Sequence, residues 1–260
     1  MTATDTRATA KTEPATAPRP RIGAVIPTLN EEEPIAEVVR AVPRGLVDAV
    51  IVADSGSTDR TVERARAAGA RVVMEKQRGY GRACAAGVEA ARDCDIIVFL
   101  DGDGSDRPEL IPLLVGPILS NAYDFVIGSR TRGRREPGSM NIHQVAAGYL
   151  AGALTRLLYG VSYTDMCAFR AIRREALDRL GMREMTYGWN LEMQMRAARA
   201  GLRILEMPVD HRRRIGGESK VSGTVLGTLK ASARIGLTVA RVAFEGRRRP
   251  NGSDALGEGR

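Results

Sequence analysis

Short apolar runs alternate with stretches of helical spacing along the chain from residue 21 onward. Apolar runs bounded by turn residues indicate strands, which we expect at 22–27, 47–53, 71–74, 95–100 and 125–128. The hydrophobic period of amphipathic helices recurs at 34–42, 60–68, 80–92 and 190–200. Strands that alternate with helices predict an α/β class, with a mostly parallel central sheet and helices on both of its faces. Ligands of such sheets bind beyond the carboxyl ends of the strands.

The two ends of the chain differ from this pattern. Residues 1–20 are rich in Thr, Ala and Pro and lack both hydrophobic periodicity and the apolar core of a secretory signal, so we predict a disordered tail. One domain is expected over 21–221, and a flexible tail over 247–260. The pattern of residues 222–246 predicts a basic amphipathic helix. Its internal charges make a membrane-spanning helix unfavourable. This helix would either lie in the headgroup layer of an anionic membrane or pack on its own domain, and the sequence favours neither.

The net charge of the 260-residue chain restricts the classes of binding partner that we expect. A formal net charge of +8 favours anionic partners, namely nucleic acid, an anionic membrane face or phosphorylated substrates. Aromatic residues make up only 4%, and no RNA-reading stacking motif is visible, so a basic nucleic-acid-binding module is the weaker interpretation. The three cysteines have neither the number nor the spacing of a disulfide framework or a zinc site, which indicates a reducing, cytoplasmic location.

The candidate chemistry centres on two carboxylates that follow the apolar run at 96–100. Asp101 and Asp103 stand two positions apart, and side chains at that spacing in extended backbone face the same way. Gly102 between them leaves room for a ligand. Hard divalent cations such as Mg²⁺ take one or two carboxylates and leave their other positions to water and substrate phosphates. The alternative interpretation, a polar turn after a strand, has equal weight on this motif alone.

Other predicted strands also end in polar side chains. Glu31 follows the first strand, Asp54 follows the second, and Arg130 follows the strand at 125–128. Asp54 stands before its turn, where a carboxylate can accept a hydrogen bond from the NH group of a nucleotide base. Because ligands bind beyond the carboxyl ends of strands in such sheets, these groups and Asp101 would meet at one edge.

Seven segments occur in an order that carries a family resemblance: PTLNEE (27–32), ADSGSTDRT (53–61), RGYGRA (78–83), DGDGS (101–105), VIGSR (126–130), TDMCAFRAIRREAL (164–177) and EMPVDHRRRIGGESK (206–220). Together they resemble family 2 glycosyltransferases of the GT-A fold, in the branch of polyprenyl-phosphate (dolichyl-phosphate) mannose or glucose synthases. The similarity extends over residues 21–235. It implies a GT-A type nucleotide-sugar-binding fold and inversion at the anomeric carbon by direct displacement.

The resemblance also assigns roles to the matching positions. The implied donor-binding residues are Pro27, Glu31, Asp54, Arg78 and Gly102. The implied ligands of Mg²⁺ or Mn²⁺ are Asp101, Asp103 and Ser105, the last at a position where some relatives have Gln. The implied phosphate-binding residues are Arg130, Arg214 and Lys220. A metal ion and an arginine would then stabilise the negative charge that develops on the departing diphosphate. Asp103 and Arg130 are therefore catalytic candidates.

The acceptor decides whether a general base is needed. A phosphate monoester is already largely anionic at neutral pH and needs positioning cations, which the arginines at 130–135 and 212–214 supply. A hydroxyl acceptor would need a carboxylate base, for which Asp165 and Glu192 are the candidates, although Glu192 can equally be structural at a helix start. The leading interpretation is transfer of a hexose from UDP-glucose or GDP-mannose to polyprenyl phosphate at the cytoplasmic membrane face. The same fold acting on a soluble hydroxyl acceptor is the alternative, and the oligomeric state stays open.

Overall fold

The computed structural model describes residues 19–216, 236 and 238–245 of the chain. Its strands are β1 (Ile22–Thr28), β2 (Ala49–Asp54), β3 (Arg71–Met74), β4 (Ile96–Phe99), β5 (Phe125–Ser129), β6 (Arg170–Arg173) and β7 (Ile204–Pro208). Its named helices are α1 (Ile35–Ala41), α2 (Thr61–Ala67), α3 (Tyr80–Ala90), α4 (Ile111–Leu119), α5 (Ile142–Tyr159), α6 (Arg174–Leu180) and α7 (Trp189–Arg199). Residues 238–245 are helical as well.

The seven strands of the described residues form one sheet in the order β3-β2-β1-β4-β6-β5-β7. Neighbouring strands are parallel except at β6, which runs antiparallel to both β4 and β5. Thr28 pairs with Asp54, so β1 and β2 end side by side. The predicted α/β class with a mostly parallel sheet is confirmed, whereas β6 and β7 are not among the strands that the sequence pattern predicts.

Burial of the central strands shows that both faces of the sheet are covered. Every residue of β1, β4 and β5 is buried. Because consecutive side chains of a strand point to opposite faces, burial at every position requires packing on both faces. The edge strands β3 and β7 contain exposed and partly exposed residues instead. The continuous apolar runs that predicted strands at 22–27 and 95–100 therefore belong to the middle of the sheet.

Predicted and observed elements agree best in the first half of the chain. The strand predicted at 95–100 is observed at Ile96–Phe99, and the helix predicted at 80–92 is observed at Tyr80–Ala90. The pattern does not predict α5, which is the longest named helix of the described residues at 18 residues. Apolar residues lie on nearly all sides of α5, so it lacks the polar face by which an amphipathic helix is detected.

The ends of the described domain bear on two predicted boundaries. Arg19 forms an ion pair with Asp48 at 2.9 Å, so ordered structure begins before residue 21. At the other end Val242 is fully buried in a small cluster with residues of α5 and α7. Residues 238–245 of the predicted amphipathic helix thus pack on their own domain. The rest of 222–246, apart from residue 236, lies outside the described residues, as do 1–18, 217–221 and 247–260.

Candidate active site

An acidic loop, residues 101–106, follows β4 at the carboxyl edge of the parallel strands. It carries Asp101, Asp103 and Asp106, and the last two are buried. Ser105 donates to Oδ1 of Asp103 from its backbone nitrogen at 2.9 Å and from its hydroxyl at 2.6 Å. Oδ2 of Asp106 accepts the backbone N–H of Asp101 at 2.9 Å. The loop is therefore shaped by hydrogen bonds to two of its own carboxylates.

Crowding of these carboxylates changes their affinity for protons. Burial raises the pKa of Asp101 well above its usual range, and the charges of Asp106 and Asp103 raise it further. Burial also raises the pKa of Asp106 to about 6. Burial acts in the same direction on Asp103, but hydrogen bonds from Ser105 and Arg214 outweigh it and lower the pKa. A cation bound beside Asp101 would stabilise its ionised form.

An arginine loop, residues 211–215, closes over the acidic loop. Nη2 of Arg214 lies 2.6 Å from Oδ2 of Asp103. The backbone N–H of Ile215 donates to the carbonyl oxygen of Asp103 at 3.0 Å. The other terminal nitrogen of Arg214, Nη1, is buried and has no hydrogen-bond partner among the described residues. The side chain thus holds the acidic loop with one nitrogen and keeps a second donor for another acceptor.

Arg130 follows β5 and forms a two-point ion pair with the buried Asp165. Nε and Nη2 of Arg130 each lie 2.8 Å from one carboxylate oxygen, and the backbone N–H of Arg130 donates to the same carboxylate at 2.9 Å. Burial raises the pKa of Asp101 and Asp106, and the charge of Arg130 acts in the opposite direction, which places the guanidinium near the acidic loop. Arg130 is therefore held in position by Asp165, and its charge acts on the carboxylates of the acidic loop.

Asp54 ends β2 and is fully buried. Its carboxylate accepts hydrogen bonds from the backbone N–H groups of Gly56 and Ser57 at 3.0 and 2.8 Å. The hydroxyl groups of Ser57 and Thr28 also donate to it. Pro27, the neighbouring position on β1, is buried within the sheet. Asp54 thus shapes the turn after β2, and its contact with the nucleoside stays a prediction.

Glu31, which follows β1, and Gly102 of the acidic loop show how closely these two segments approach each other. Burial lowers the pKa of the Arg214 guanidinium, but its bond to Asp103 and the charge of the buried Glu31 raise it. A Cβ atom on Gly102 would lie 2.6 Å from Cγ2 of Thr28. Glycine at this position therefore lets the acidic loop approach β1, whereas the room that it would leave for a ligand stays a prediction.

Residues 24–181 match the protein-family model described as glycosyl transferase family 2. The chain is a family 2 glycosyltransferase. It is 38% identical over 212 residues to an uncharacterised glycosyltransferase of Mycobacterium tuberculosis, covering 81% of this chain and 94% of the relative. It is 35% identical over 233 residues to a dolichyl-phosphate hexose transferase of Haloferax volcanii, covering 88% of this chain and 96% of the relative. The family that the sequence resemblance indicated is confirmed.

A solved structure gives the same result for the fold. Glucosyl-3-phosphoglycerate synthase from Mycobacterium tuberculosis, in complex with Mn²⁺, uridine-diphosphate-glucose and phosphoglyceric acid, matches with a TM-score of 0.70 at 28% identity. The match covers 86% of this chain and 80% of that chain. The GT-A type of α/β fold and the enzyme class, a hexosyltransferase of the family 2 type, are thus as predicted.

This family 2 glycosyltransferase gathers most of the predicted site residues around the acidic loop. Those that lie in or beside it are Glu31, Asp101, Gly102, Asp103, Ser105, Arg130 and Arg214. Pro27 and Asp54 lie on the two adjacent strand ends. The side chain of Arg78 is exposed before α3 and has no partner among the described residues. Lys220 lies outside the described residues.

Glu192 belongs to a different network, at the start of α7. Its side chain is fully buried. One oxygen accepts the backbone N–H groups of Arg183 and Glu184 at 2.9 and 2.6 Å. The other lies 2.9 Å from Arg196 and 3.1 Å from Arg241. These four donors favour the structural alternative for Glu192 over the predicted catalytic role.

Three residues of the site are missed by the sequence reasoning: Tyr80, Asp106 and His211. The hydroxyl of Tyr80 donates to Oδ1 of Asp101 at 3.3 Å. His211 is buried with Nδ1 3.8 Å from Oδ1 of Asp106, and burial lowers its pKa to about 4, so the imidazole is neutral at physiological pH. Asp106 was detectable, because it continues the same acidic run. Tyr80 and His211 lie in two of the segments that carry the resemblance, but nothing in those segments indicates that the two side chains reach distant aspartates.

The acidic loop fits a divalent cation that is bound together with a diphosphate. Within residues 19–216 and 238–245, no group of three or more histidine, cysteine or acidic side chains is arranged to hold a metal ion by itself. Divalent cations bound with nucleotides need only one or two carboxylates, because phosphates and water complete the shell, and Asp101 and Asp103 can supply these. The unpaired donor of Arg214 suits a phosphate oxygen of the same ligand.

Loss of Arg214 is expected to impair hexosyl transfer more than loss of its neighbour. Arg214→Ala should lower kcat/KM about hundredfold, because a preorganised donor near the developing charge is removed. Arg213→Ala is the matched control, since the Arg213 side chain bonds the carbonyl oxygen of Pro137 instead, and it should retain most of the activity. Initial transfer rates measure both. An equal loss in the two variants would show that only the overall charge of the loop matters.

Protons are expected to compete with a divalent cation for the acidic loop. Burial raises the pKa of Asp101, and raises that of Asp106 to about 6, so both carboxyls take up protons at higher pH than exposed aspartates. Since Asp101 must lose its proton to bind the cation, and its pKa is raised, Mn²⁺ affinity should fall with decreasing pH at a higher pH than exposed aspartates would set.

Titration with Mn²⁺, followed by electron paramagnetic resonance over a range of pH, measures this dependence. Asp106→Asn removes one of the charges that raise the pKa of Asp101, so the loss of affinity should move to lower pH. A Mn²⁺ affinity that does not change with pH in the natural sequence would count against the site.

Proposed function

We propose that the chain is a metal-dependent inverting hexosyltransferase that moves a hexose from a nucleotide sugar to the phosphate group of polyprenyl phosphate. The relative from Haloferax volcanii, a dolichyl-phosphate hexose transferase, supports this class of acceptor. The synthase crystallised with uridine-diphosphate-glucose and Mn²⁺ supports a nucleotide-sugar donor and a divalent cation.

The observation that carries the acceptor proposal is that both candidate general bases are already engaged. Asp165 is 1% exposed and accepts hydrogen bonds from three groups of Arg130 and from the backbone of Met166. Burial raises its pKa, but the bonds and charge of Arg130 outweigh this and hold the pKa below its usual range, which makes a weak base. Glu192 has four donors of its own. A phosphate monoester, with a second pKa of about 6, needs no base.

Positive charge around the acidic loop would stabilise the leaving group. A divalent cation held by Asp101 and Asp103 would act as a Lewis acid on the diphosphate. Arg214 would donate Nη1 to a diphosphate oxygen while Nη2 keeps its bond to Asp103. Arg130, fixed by Asp165, would orient the acceptor phosphate. An oxygen of that phosphate forms a bond to the anomeric carbon as the bond to the diphosphate breaks, and attack from the opposite face inverts the configuration.

A soluble acceptor is the second candidate. The structural neighbour was crystallised with phosphoglyceric acid, which offers a hydroxyl group rather than a phosphate monoester of a lipid. For such a nucleophile, Asp165 or Glu192 would have to leave its arginine partners in order to accept a proton. The cost of separating a buried ion pair makes this the weaker candidate.

The direct test incubates the purified chain with Mg²⁺, polyprenyl phosphate in detergent, and radiolabelled UDP-glucose or GDP-mannose. Label is expected in the organic phase after extraction, because the product carries the lipid. Asp103→Asn, which removes one carboxylate charge from the acidic loop, should abolish this transfer. Label that stays in water with every common nucleotide hexose would refute the lipid acceptor, and phosphoglyceric acid would then be tested as a soluble one.

Glu192→Gln separates the two acceptor chemistries. With a phosphate acceptor, we expect a lower melting temperature and a nearly unchanged kcat of the folded enzyme, because only the buried network is weakened. Glu245→Gln is the matched control, since Glu245 pairs with Arg196 in the same network at 2.9 Å. A fall in kcat of about hundredfold in Glu192→Gln alone is what a general base would produce, and it would favour the hydroxyl acceptor.

A further inference from the structure

Tyr80 is the first residue of α3, and its hydroxyl reaches the acidic loop. It donates to Oδ1 of Asp101 at 3.3 Å. The other two carboxylates of the loop have different partners, since Arg214 bonds Asp103 and a backbone N–H bonds Asp106. The orientation of the Asp101 carboxylate therefore depends on where the Tyr80 hydroxyl lies.

The side chain of Asn190 fixes the direction in which the Tyr80 hydroxyl donates. Burial raises the pKa of Tyr80 well above its usual range and the charge of Asp101 raises it further, whereas a hydrogen bond from the Asn190 side chain lowers it. A bond that lowers the pKa of a phenol comes from a donor, so the amide nitrogen of Asn190 faces the phenol oxygen. Oδ1 of Asn190 is buried and has no partner among the described residues, which agrees with this orientation. Since the Tyr80 oxygen accepts from Asn190, its own proton is available to Asp101.

The segment RGYGRA (78–83) has a glycine on each side of Tyr80. A Cβ atom on Gly79 would lie 2.3 Å, and one on Gly81 2.2 Å, from a backbone carbonyl oxygen of residues 184–186. No Cβ atom approaches a backbone oxygen so closely, so any larger residue at either position would push the two segments apart. The two glycines therefore let residues 184–186 pack directly on the start of α3.

This contact also provides hydrogen bonds for the first turn of α3. The backbone N–H groups of Gly81 and Arg82 donate to carbonyl oxygens of residues 184–186 at 3.2 and 3.1 Å. N–H groups of the first turn have no partner inside their own helix, and no side chain caps α3. Residues 184–186 thus hold the first turn of α3, and with it the side chain of Tyr80.

Glu184 in turn fixes the shape of this segment. Its side chain is 4% exposed, and Oε1 accepts both the backbone N–H of Thr186, at 3.0 Å, and the Thr186 hydroxyl. Oε2 accepts the hydroxyl of Thr238 at 3.1 Å and lies 3.4 Å from Arg241, both in the helix at 238–245. None of the helices formed by the described residues, this one included, combines the length and the apolar character that crossing a bilayer requires. One carboxylate thus ties this helix to the segment that holds Tyr80.

We propose that Tyr80 is a positioning residue that orients Asp101 for cation binding, and that Glu184 holds Tyr80 in place through residues 184–186. This inference rests on the proposed function in one respect, since it takes Asp101 as a ligand of the divalent cation. Hydrogen bonds from outside the ligand shell orient the carboxylates that bind metal ions. A neutral hydroxyl does so without repelling the cation, whereas an arginine in its place would repel it.

The first test removes the Tyr80 hydroxyl alone. Tyr80→Phe should lower the Mn²⁺ affinity about tenfold, because the Asp101 carboxylate loses the bond that orients it. Tyr163→Phe is the matched control, since Tyr163 is a buried tyrosine whose hydroxyl donates to the carbonyl oxygen of Gln194 instead, at 3.0 Å. Titration of the full chain with Mn²⁺ alone, followed by electron paramagnetic resonance, measures both. An unchanged affinity in Tyr80→Phe, or an equal loss in the two variants, would overturn the proposal.

The second test separates positioning by Glu184 from a general loss of stability. Glu184→Ala should speed hydrogen exchange at the N–H groups of Gly81 and Arg82, and lower the Mn²⁺ affinity about threefold. Asp124→Ala is the matched control, because Asp124 likewise accepts a backbone N–H and pairs with an arginine, both of Arg203. The control should lower the melting temperature and leave the Mn²⁺ affinity unchanged. An equal fall of affinity in both variants would show a merely structural role and contradict the proposal.

The double variant shows whether Glu184 acts through Tyr80. In the Tyr80→Phe background, Glu184→Ala should cause no further loss of Mn²⁺ affinity. Losses that multiply would overturn the connection between the two residues. Melting temperatures establish that each variant is folded, and Thr238→Val, which removes one hydrogen bond of Glu184, replaces Glu184→Ala if that variant does not fold.

Mn²⁺ binding is measured without any acceptor, so the two proposals can fail separately. A chain that shows the expected losses of Mn²⁺ affinity but transfers no hexose to lipid would refute the proposed acceptor and leave the role of Tyr80 intact. Transfer to lipid with an unchanged Mn²⁺ affinity in Tyr80→Phe would do the reverse. A natural sequence that binds no Mn²⁺ would also overturn the role of Tyr80.

Discussion

The crowding of three carboxylates beside the end of β4, of which Asp103 and Asp106 are buried and Asp101 is half-buried, is the constraint on which the site depends. Removing Asp101, Asp103 and Asp106 from water is costly unless hydrogen bonds and opposite charges replace the lost hydration. Arg214 compensates Asp103, and a backbone N–H compensates Asp106. Among the described residues, the side chain that bonds the Asp101 carboxylate is Tyr80, through a neutral hydroxyl at 3.3 Å. The loop therefore keeps one position where negative charge is poorly balanced, and that position faces the ligand edge of the sheet.

Much of the fold follows from local sequence because the central strands are buried on both faces. Continuous apolar runs mark β1 and β4, and their observed ends lie within one or two residues of the predicted ends. The strand β6 gives no such signal, since it is four residues long and has Arg170 and Arg173 at its ends. It is a strand because β4 and β5 offer hydrogen bonds on both sides, which is a property of the assembled sheet. The helix α5 escapes detection for the opposite reason, because it is apolar on two faces.

The candidate site likewise contains residues that the local sequence predicts and contacts that only the folded chain shows. The spacing of Asp101 and Asp103 is visible in the sequence, and so is the cation-rich segment that contains Arg214. What each charged residue does depends on partners far along the chain: Asp165 is 35 residues from Arg130, and Arg241 is 49 residues from Glu192. Sequence patterns show that a carboxylate is present, but not whether a buried arginine already occupies it. The assignment of a general base is therefore the part that only the structure can address.

The antiparallel strand β6 also sets the distance between the ends of β4 and β5. It lies between β4, which leads into the acidic loop, and β5, which leads into Arg130. Neighbouring strands are about 4.8 Å apart, so the two chain segments leave the sheet about 9.6 Å from each other. Since β6 runs the other way, Arg170 at its start pairs with Phe99 at the end of β4. A fully buried arginine therefore lies in the strand between the two segments. The order of the strands therefore fixes how far apart the acidic loop and Arg130 begin, before any side chain of either segment is placed.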